Sequence, residues 1–166
     1  MRILHWVIGI MVIGLLTSGI ISNLDIKINK GILFKYHKSV GFTVMLLMFL
    51  RLFIRLFSKI PKWPKELNKT FHYLALIVQY SMYVFVLISA ISGYTMSSAA
   101  NKKIYWLFNM EKPVPLVVAQ NKNIAYNAHK IHVKTVWIVL ALVILHVLGT
   151  LKHLVIDRYN IIKRIL

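Results

Sequence analysis

The chain has 166 residues, of which 58% are apolar, and its formal net charge is +17. Such an apolar composition excludes an ordinary soluble domain, and the length fits a single domain over residues 1–166. The sequence has no cysteine, which excludes disulfides, thiolate zinc sites, iron–sulfur clusters and covalently attached c-type haem.

Four apolar runs are long enough to cross about 30 Å of hydrocarbon, which takes about 20 helical residues. The first follows Arg2, like a secretory signal, but it is too long for one and no small-residue cleavage site ends it. The sequence therefore predicts an all-α fold, a transmembrane four-helix up-down bundle. The predicted spans are Leu4–Leu24, Lys35–Phe57, Thr70–Met96 and Asn127–Ile156.

The positive charge suggests either nucleic acid or anionic lipid as a partner. The sequence carries no nucleic-acid-binding motif, so we expect no nucleic acid and we expect the lysines to contact membrane lipid headgroups. Four spans put both termini on one side of the membrane. Lysine and arginine together divide almost evenly between the two sides, with 11 on the side of the termini and 10 on the other, but all five arginines fall on the side of the termini. We therefore place both termini in the cytoplasm.

Two connections between the spans have distinctive compositions. Ser58–Lys69 contains Pro61 and Pro64 and is predicted to be a loop, with Trp63 as an interfacial anchor. Ile104–Met110, between the third and fourth spans, is apolar and holds three aromatic residues. We expect this segment to lie on the membrane surface.

Histidines at the ends of the spans carry the functional signal. His132 and His146 are 14 residues apart, so they share a helix face and lie about 21 Å apart along the axis. Ionisable groups inside a membrane span are costly and are functional candidates. His72 and His129 are interpreted as interfacial side chains.

Up-down topology places these histidines in pairs. His37 and His132 open the second and fourth spans, so they meet at one end, and His5 lies at the opposite end with either His146 or His153 as its partner. Pairing with His153 would separate two metal centres by about 31 Å, whereas His146 gives about 21 Å, a workable gap for electron tunnelling. We choose His146. The sequence thus predicts two haem groups, each held by two imidazoles.

Zinc or copper is the alternative metal. Such sites cluster three or four ligands, often including carboxylates. The chain has four acidic residues, all in loops or near span ends: Asp25, Glu66, Glu111 and Asp157. Two separated histidine pairs fit haem better.

Arginine and glycine add weaker signals. Arg51 lies 14 residues beyond His37, at the level of the second histidine pair, where its guanidinium would pair with a haem propionate. The alternative is an arginine that only sets topology. Glycines in the spans permit close approach of a helix or a macrocycle, although ordinary helix packing explains them as well. They are Gly14, Gly19, Gly41, Gly93 and Gly149.

Together these residues resemble the bacterial cytochrome b561 family over nearly the whole chain. The matching pieces are His5-Trp6, HKSVG…RLFIR in the second span, and His132, His146 and His153 followed by Asp157-Arg158. The resemblance implies two haem b groups, ubiquinone as redox partner, electron transport and a bacterial inner-membrane location. It also implies that His5, His37, His132 and His146 are axial ligands. His153 would lie near the haem held by His5 and His146, where quinone binds.

The family often has a histidine in the third span, one turn before a tyrosine; here that position is Gln79, before Tyr83. The resemblance further implies an enzymatic candidate, superoxide oxidation at the periplasmic face with electrons delivered to quinone. The loops on the side of the membrane opposite the termini are rich in lysine, and their positive charge would steer the superoxide anion to that face. Two alternatives stay open. One is a haem-containing anchor subunit that passes electrons from a soluble dehydrogenase or hydrogenase to quinone, and the other is a haem-free structural bundle.

Overall fold

The computed structural model describes residues 2–24, 26–27, 29–58 and 69–160. This part of the chain forms four α-helices, each long and apolar enough to cross a membrane, which confirms the predicted all-α four-helix fold. The last helix continues directly into a π-helical turn, Lys152–Ile156. The helices are α1 (Arg2–Ser22), α2 (Lys30–Phe57), α3 (Lys69–Ala99) and α4 (Lys122–Leu151).

Helices α2 and α4 begin about five residues before the predicted spans because polar caps, rather than apolar residues, start them. The side chain of Asn29 accepts a hydrogen bond from the backbone of Ile32, three residues into the turn. Asn121 caps α4 in the same way. An asparagine at this position satisfies backbone N–H groups that have no partner within the helix. Hydropathy therefore locates the membrane crossing, and the caps locate the helix starts.

Consecutive helices pack side by side, as an up-down bundle requires. We call the end where α2 and α4 begin the outer end, and the opposite one the inner end. Many large apolar side chains on the helices point outward, including Phe53 and Trp137, each 61% exposed. Such faces suit contact with lipid. The interior holds a core cluster of Ile8, Val12, Val44, Met48, Tyr83, Val86 and Val139.

Between α3 and α4 the chain forms a short antiparallel hairpin, which the sequence did not reveal. Its strands are β1 (Tyr105–Trp106) and β2 (Asn109–Pro113). At its base, Ile104 and Val114 are buried in a second core cluster with Phe42 of α2. A strand of two residues is too short to show alternating hydrophobicity, so the sequence pattern does not predict it. The predicted loop at Ser58–Lys69, including its Trp63 anchor, lies mostly outside the described residues.

Candidate functional site

Two pairs of imidazoles face each other inside the bundle. At the outer end, the ring centres of His37 (α2) and His132 (α4) are 6.4 Å apart. At the inner end, those of His5 (α1) and His146 (α4) are 6.1 Å apart. Helix α4 therefore contributes one histidine to each pair, as the 14-residue spacing predicts.

The spacing of each pair suits two imidazoles on opposite sides of one metal ion. An imidazole nitrogen lies about 2 Å from a bound metal, and the ring centre lies about 1 Å further away. Two opposed rings then have centres about 6 Å apart, which matches both pairs. Within the described residues, no three His, Asp or Glu side chains come together as a metal-binding group. Two ligands per site is the donor set of bis-histidine haem.

Hydrogen bonds fix the orientation of both outer imidazoles. Nδ1 of His132 lies 2.8 Å from the carbonyl oxygen of Ser89, which can only accept, so Nδ1 carries the proton. Nδ1 of His37 lies 2.7 Å from Oγ of Ser18, whose single proton is donated to the carbonyl of Leu15. His37 must then donate to Ser18. In both rings the lone pair is left at Nε2, as metal-binding histidines require.

Gly93 of α3 and Gly19 of α1 lie against these outer rings. A Cβ atom on Gly93 would come within 3.0 Å of Cε1 of His132, whereas one on Gly19 would lie 4.0 Å from the ring of His37. The close contact at Gly93 explains one glycine that sequence alone left ambiguous. A Cβ on Gly14 would meet no atom within 4 Å, and Gly14 lines an apolar groove of about 270 Å³ between α1 and α2. His37 is one of the residues that line this groove.

The inner pair has a different environment, in which arginine is the nearby charge. The guanidinium of Arg51 lies close enough to His5 and His146 to act electrostatically on both imidazoles. Nδ1 of His5 is buried and has no hydrogen-bond partner among the described residues. The sequence placed Arg51 at this level, and the structure agrees with that placement.

Arg51 and Arg55 are only partly satisfied by the protein. The guanidinium of Arg51 lies over the ring of Tyr83, 5.6 Å from its centre. Arg55 donates to Oε1 of Gln79 at 3.1 Å, which gives Gln79 a role that the sequence did not suggest. In the part of the chain that the structure describes, Nε of each arginine is buried without an acceptor. Of these two donors, Arg51 lies near the inner histidine pair and Arg55 one helical turn further along α2. Guanidinium donors of this kind fit the carboxylates of a haem group.

His153 lies apart from the inner pair, in the π-helical turn. Its ring is 5% exposed and packs edge-on against Phe71 of α3, with the ring centres 5.9 Å apart. Nδ1 lies 2.6 Å from Oδ2 of Asp157, which also receives a bond from Lys152 at 2.7 Å. The hydrogen bond from Lys152, together with that from His153, lowers the pKa of the Asp157 carboxyl below its ordinary value. The structure thus brings His146, and not His153, next to His5.

Several contributors to the sites cannot be found from sequence. Ser18 and the Ser89 carbonyl are distant in the chain from the histidines that they orient, and serine is unremarkable in an apolar helix. His129, interpreted as interfacial, is exposed near the outer end. His72 is half-buried beside the ring of Tyr73.

Comparison with known proteins identifies the family of this chain. The family model of prokaryotic cytochrome b561 matches residues 1–166. The chain is also similar to "Cytochrome b561 homolog 2" of Escherichia coli (strain K12), with 28% identity over 166 residues that cover 98% of this chain and 86% of the relative. The chain therefore belongs to the prokaryotic cytochrome b561 family, whose members are membrane-embedded haem b electron-transfer proteins.

Proposed function

We propose that the protein binds two haem b groups and exchanges electrons with ubiquinone across the bacterial inner membrane. The observation that carries this proposal is the pair of facing imidazoles at each end of α4, with ring centres 6.4 and 6.1 Å apart. His37 and His132 are the ligands of the outer group, and His5 and His146 are those of the inner group. When bound, the two groups supply one-electron oxidation and reduction.

The protein's own contribution is to orient the ligands and to balance charge. Ser18 and the Ser89 carbonyl hold the protons of the outer rings at Nδ1 and so keep Nε2 ready to bind iron. At the inner end, Arg51 and Arg55 provide donors for propionate carboxylates. Because both ligands of α4 belong to one rigid helix, the two sites stay about 21 Å apart along the axis.

Quinone chemistry is assigned to the inner end, around His153. A quinol must release protons as it gives up electrons, so its site needs a proton acceptor at the edge of the membrane. Asp157 accepts from Nδ1 of His153 and so orients this imidazole, to which we assign proton exchange with the quinol. Lys152 and Phe71 complete this cluster, with the ammonium 3.7 Å from the centre of the phenyl ring. All five arginines lie on the side of the termini, which supports a cytoplasmic inner end.

The stoichiometry of haem tests the proposal. Pyridine haemochrome analysis of the purified chain should give two haem b groups per polypeptide. His132→Ala should lose the outer group and His146→Ala the inner one. His129→Ala and His153→Ala are matched controls on the same helix and its π-turn, and both should retain two. One haem or none in the unaltered chain would contradict the proposal.

Superoxide oxidation at the outer end is a second candidate, supported by the lysines there. Lys38, adjacent to the ligand His37, donates to the carbonyl of Lys103 at 2.9 Å, and its charge interacts with that of Lys102. Holding several ammonium groups together beside the outer pair creates a local positive potential. Such a potential raises the rate at which a small anion arrives.

A further inference from the structure

The hairpin between α3 and α4 exposes an aromatic tip, although its base is deeply buried. Ile104 and Val114, at the base, are 2% and 4% exposed. Trp106 is 39% exposed and Phe108, in the turn, is 88% exposed. Exposure of large aromatic side chains to water is unfavourable, so an apolar surrounding would stabilise this tip.

The contacts of the hairpin place it beside α2 rather than above it. Trp106 packs edge-on against Phe42, with ring centres 5.3 Å apart. Phe42 lies seven residues further along α2 than Lys35, or about 10 Å deeper toward the membrane centre. The ammonium of Lys35 lies 5.0 Å from the centre of the Tyr105 ring, and Oγ of Ser39 lies 3.8 Å from Sδ of Met110. The hairpin therefore lies along the outer third of a membrane-spanning helix.

The charges around the tip are those of a membrane interface. Lys102, Lys103 and Lys112 are exposed in and beside the hairpin, and Glu111 is its acidic residue. Aromatic residues next to lysines are typical of protein segments that lie among lipid headgroups. On α2, about one and two turns beyond Phe42, Leu46 and Phe49 are 42% and 47% exposed, so apolar side chains also face outward there.

We propose that this hairpin is a membrane anchor whose partner is the bilayer itself. Phe108 and Trp106 enter the region between headgroups and acyl chains, and the lysines contact anionic headgroups. A soluble protein partner is disfavoured because Trp106, two residues before Phe108, packs against Phe42 of the membrane-spanning helix α2. The hydroxyl of Tyr94 donates to the carbonyl of Pro115 at 2.5 Å, and Tyr94 follows Gly93, which touches His132. The anchor thus steadies the end of α3 that supports the outer histidine pair.

The natural absence of cysteine allows a direct test in the full-length protein. Phe108→Cys, labelled with an environment-sensitive fluorophore, is placed in nanodiscs of phosphatidylcholine and phosphatidylglycerol. Gln120→Cys, exposed in the same connection, is the matched control, and Phe53→Cys on α2 is the lipid-facing reference. Retention of the native haem content confirms that each variant is folded.

At position 108 we expect blue-shifted emission and quenching by a headgroup-proximal nitroxide lipid at least about threefold stronger than at position 120. Replacing Lys102 and Lys103 with Gln should reduce that quenching in discs containing phosphatidylglycerol. Quenching of the position-108 label by aqueous iodide as strong as at position 120 would overturn the proposal. Shielding from both quenchers would also overturn it, since a second protein copy would then cover the tip.

Discussion

Gly93 on α3 leaves the space that the imidazole of His132 on α4 occupies: a Cβ atom there would come within 3.0 Å of Cε1 and 3.1 Å of Nδ1. Because Nδ1 of His132 also bonds to the carbonyl of Ser89, one turn earlier on α3, the ring is held from two sides. Helix α3 contributes no imidazole to the outer pair, yet it determines where the ring of His132 points.

Gly93→Ala should displace His132 and weaken or abolish binding of the outer haem. Alanine is favoured over glycine inside a helix by about 1 kcal/mol, so helix propensity acts in the opposite direction and cannot account for a loss. Haem content and the low-spin absorption bands would measure the effect. Gly9→Ala is the control, because a Cβ there meets no atom within 4 Å. If the Gly93→Ala variant retained a full complement of outer haem, the close contact between Gly93 and the His132 ring would not be needed for haem binding.

Ser18→Ala should lower the affinity of the outer site by about 10- to 100-fold, the usual effect of removing a hydrogen-bond partner of a metal-binding histidine. The reason is that Nδ1 of His37 loses its acceptor and the ring its fixed tautomer. Haem titration of the apoprotein measures it. Thr17→Ala provides the comparison, since Thr17 is exposed and donates to the carbonyl of Ile13 in its own helix. Equal haem affinities in the Ser18→Ala and Thr17→Ala variants would show that Ser18 does not contribute to haem binding.

His153→Ala should keep both haem groups but slow reduction by a ubiquinol by about 100-fold, the scale of a lost general base. Stopped-flow absorbance would follow the reduction, with His72→Ala as the control from the same end of the bundle. Asp157→Asn should slow the same reaction, because the amide holds the His153 tautomer less firmly than a carboxylate does. Unchanged quinol kinetics in His153→Ala would reject its role in proton transfer.

The cluster at Asp157 predicts a pH dependence of stability. Bonds from Lys152 first, and then from His153, lower the pKa of this carboxyl in the folded protein. A depressed pKa means that the stabilisation is complete above the unfolded value of about 4 and is lost as pH falls through the folded value. At pH 7 in detergent, the native chain should therefore unfold at a higher temperature than the Asp157→Asn variant. The difference should shrink toward zero below pH 4; a constant difference would show that the carboxylate charge is not involved.

If superoxide is a substrate, its oxidation should slow as salt is added, because charge attraction is screened over about 8 Å at physiological ionic strength. Replacing Lys38, Lys102, Lys103 and Lys130 with Gln should lower the second-order rate and flatten its salt dependence while haem content stays unchanged. Pulse radiolysis with detection of haem reduction measures this. A rate independent of salt and equal in the variant would assign these lysines to lipid contact, and no reduction by superoxide would eliminate this activity.

Spacing along a helix made the histidine pairs predictable, since periodicity is local and 14 residues return His146 to the face of His132. The choice of His146 over His153 came from the distance between metal centres, and the structure places His146 beside His5. Contacts between helices were not predictable: Ser18 with His37, Arg55 with Gln79, and Gly93 with His132. Each depends on how neighbouring helices rotate and slide against one another, which a single sequence does not encode in any repeating pattern.

Both pairs take their second imidazole from α4, which follows the other three helices in the chain. During synthesis, His5 and His37 enter the membrane long before His132 and His146 emerge from the ribosome. Neither histidine pair can form until α4 has been inserted, so any group that needs both imidazoles of a pair can be bound only after the four described helices are in the membrane. A nascent chain arrested before α4 should carry no hexacoordinate haem, however well its first three helices are inserted.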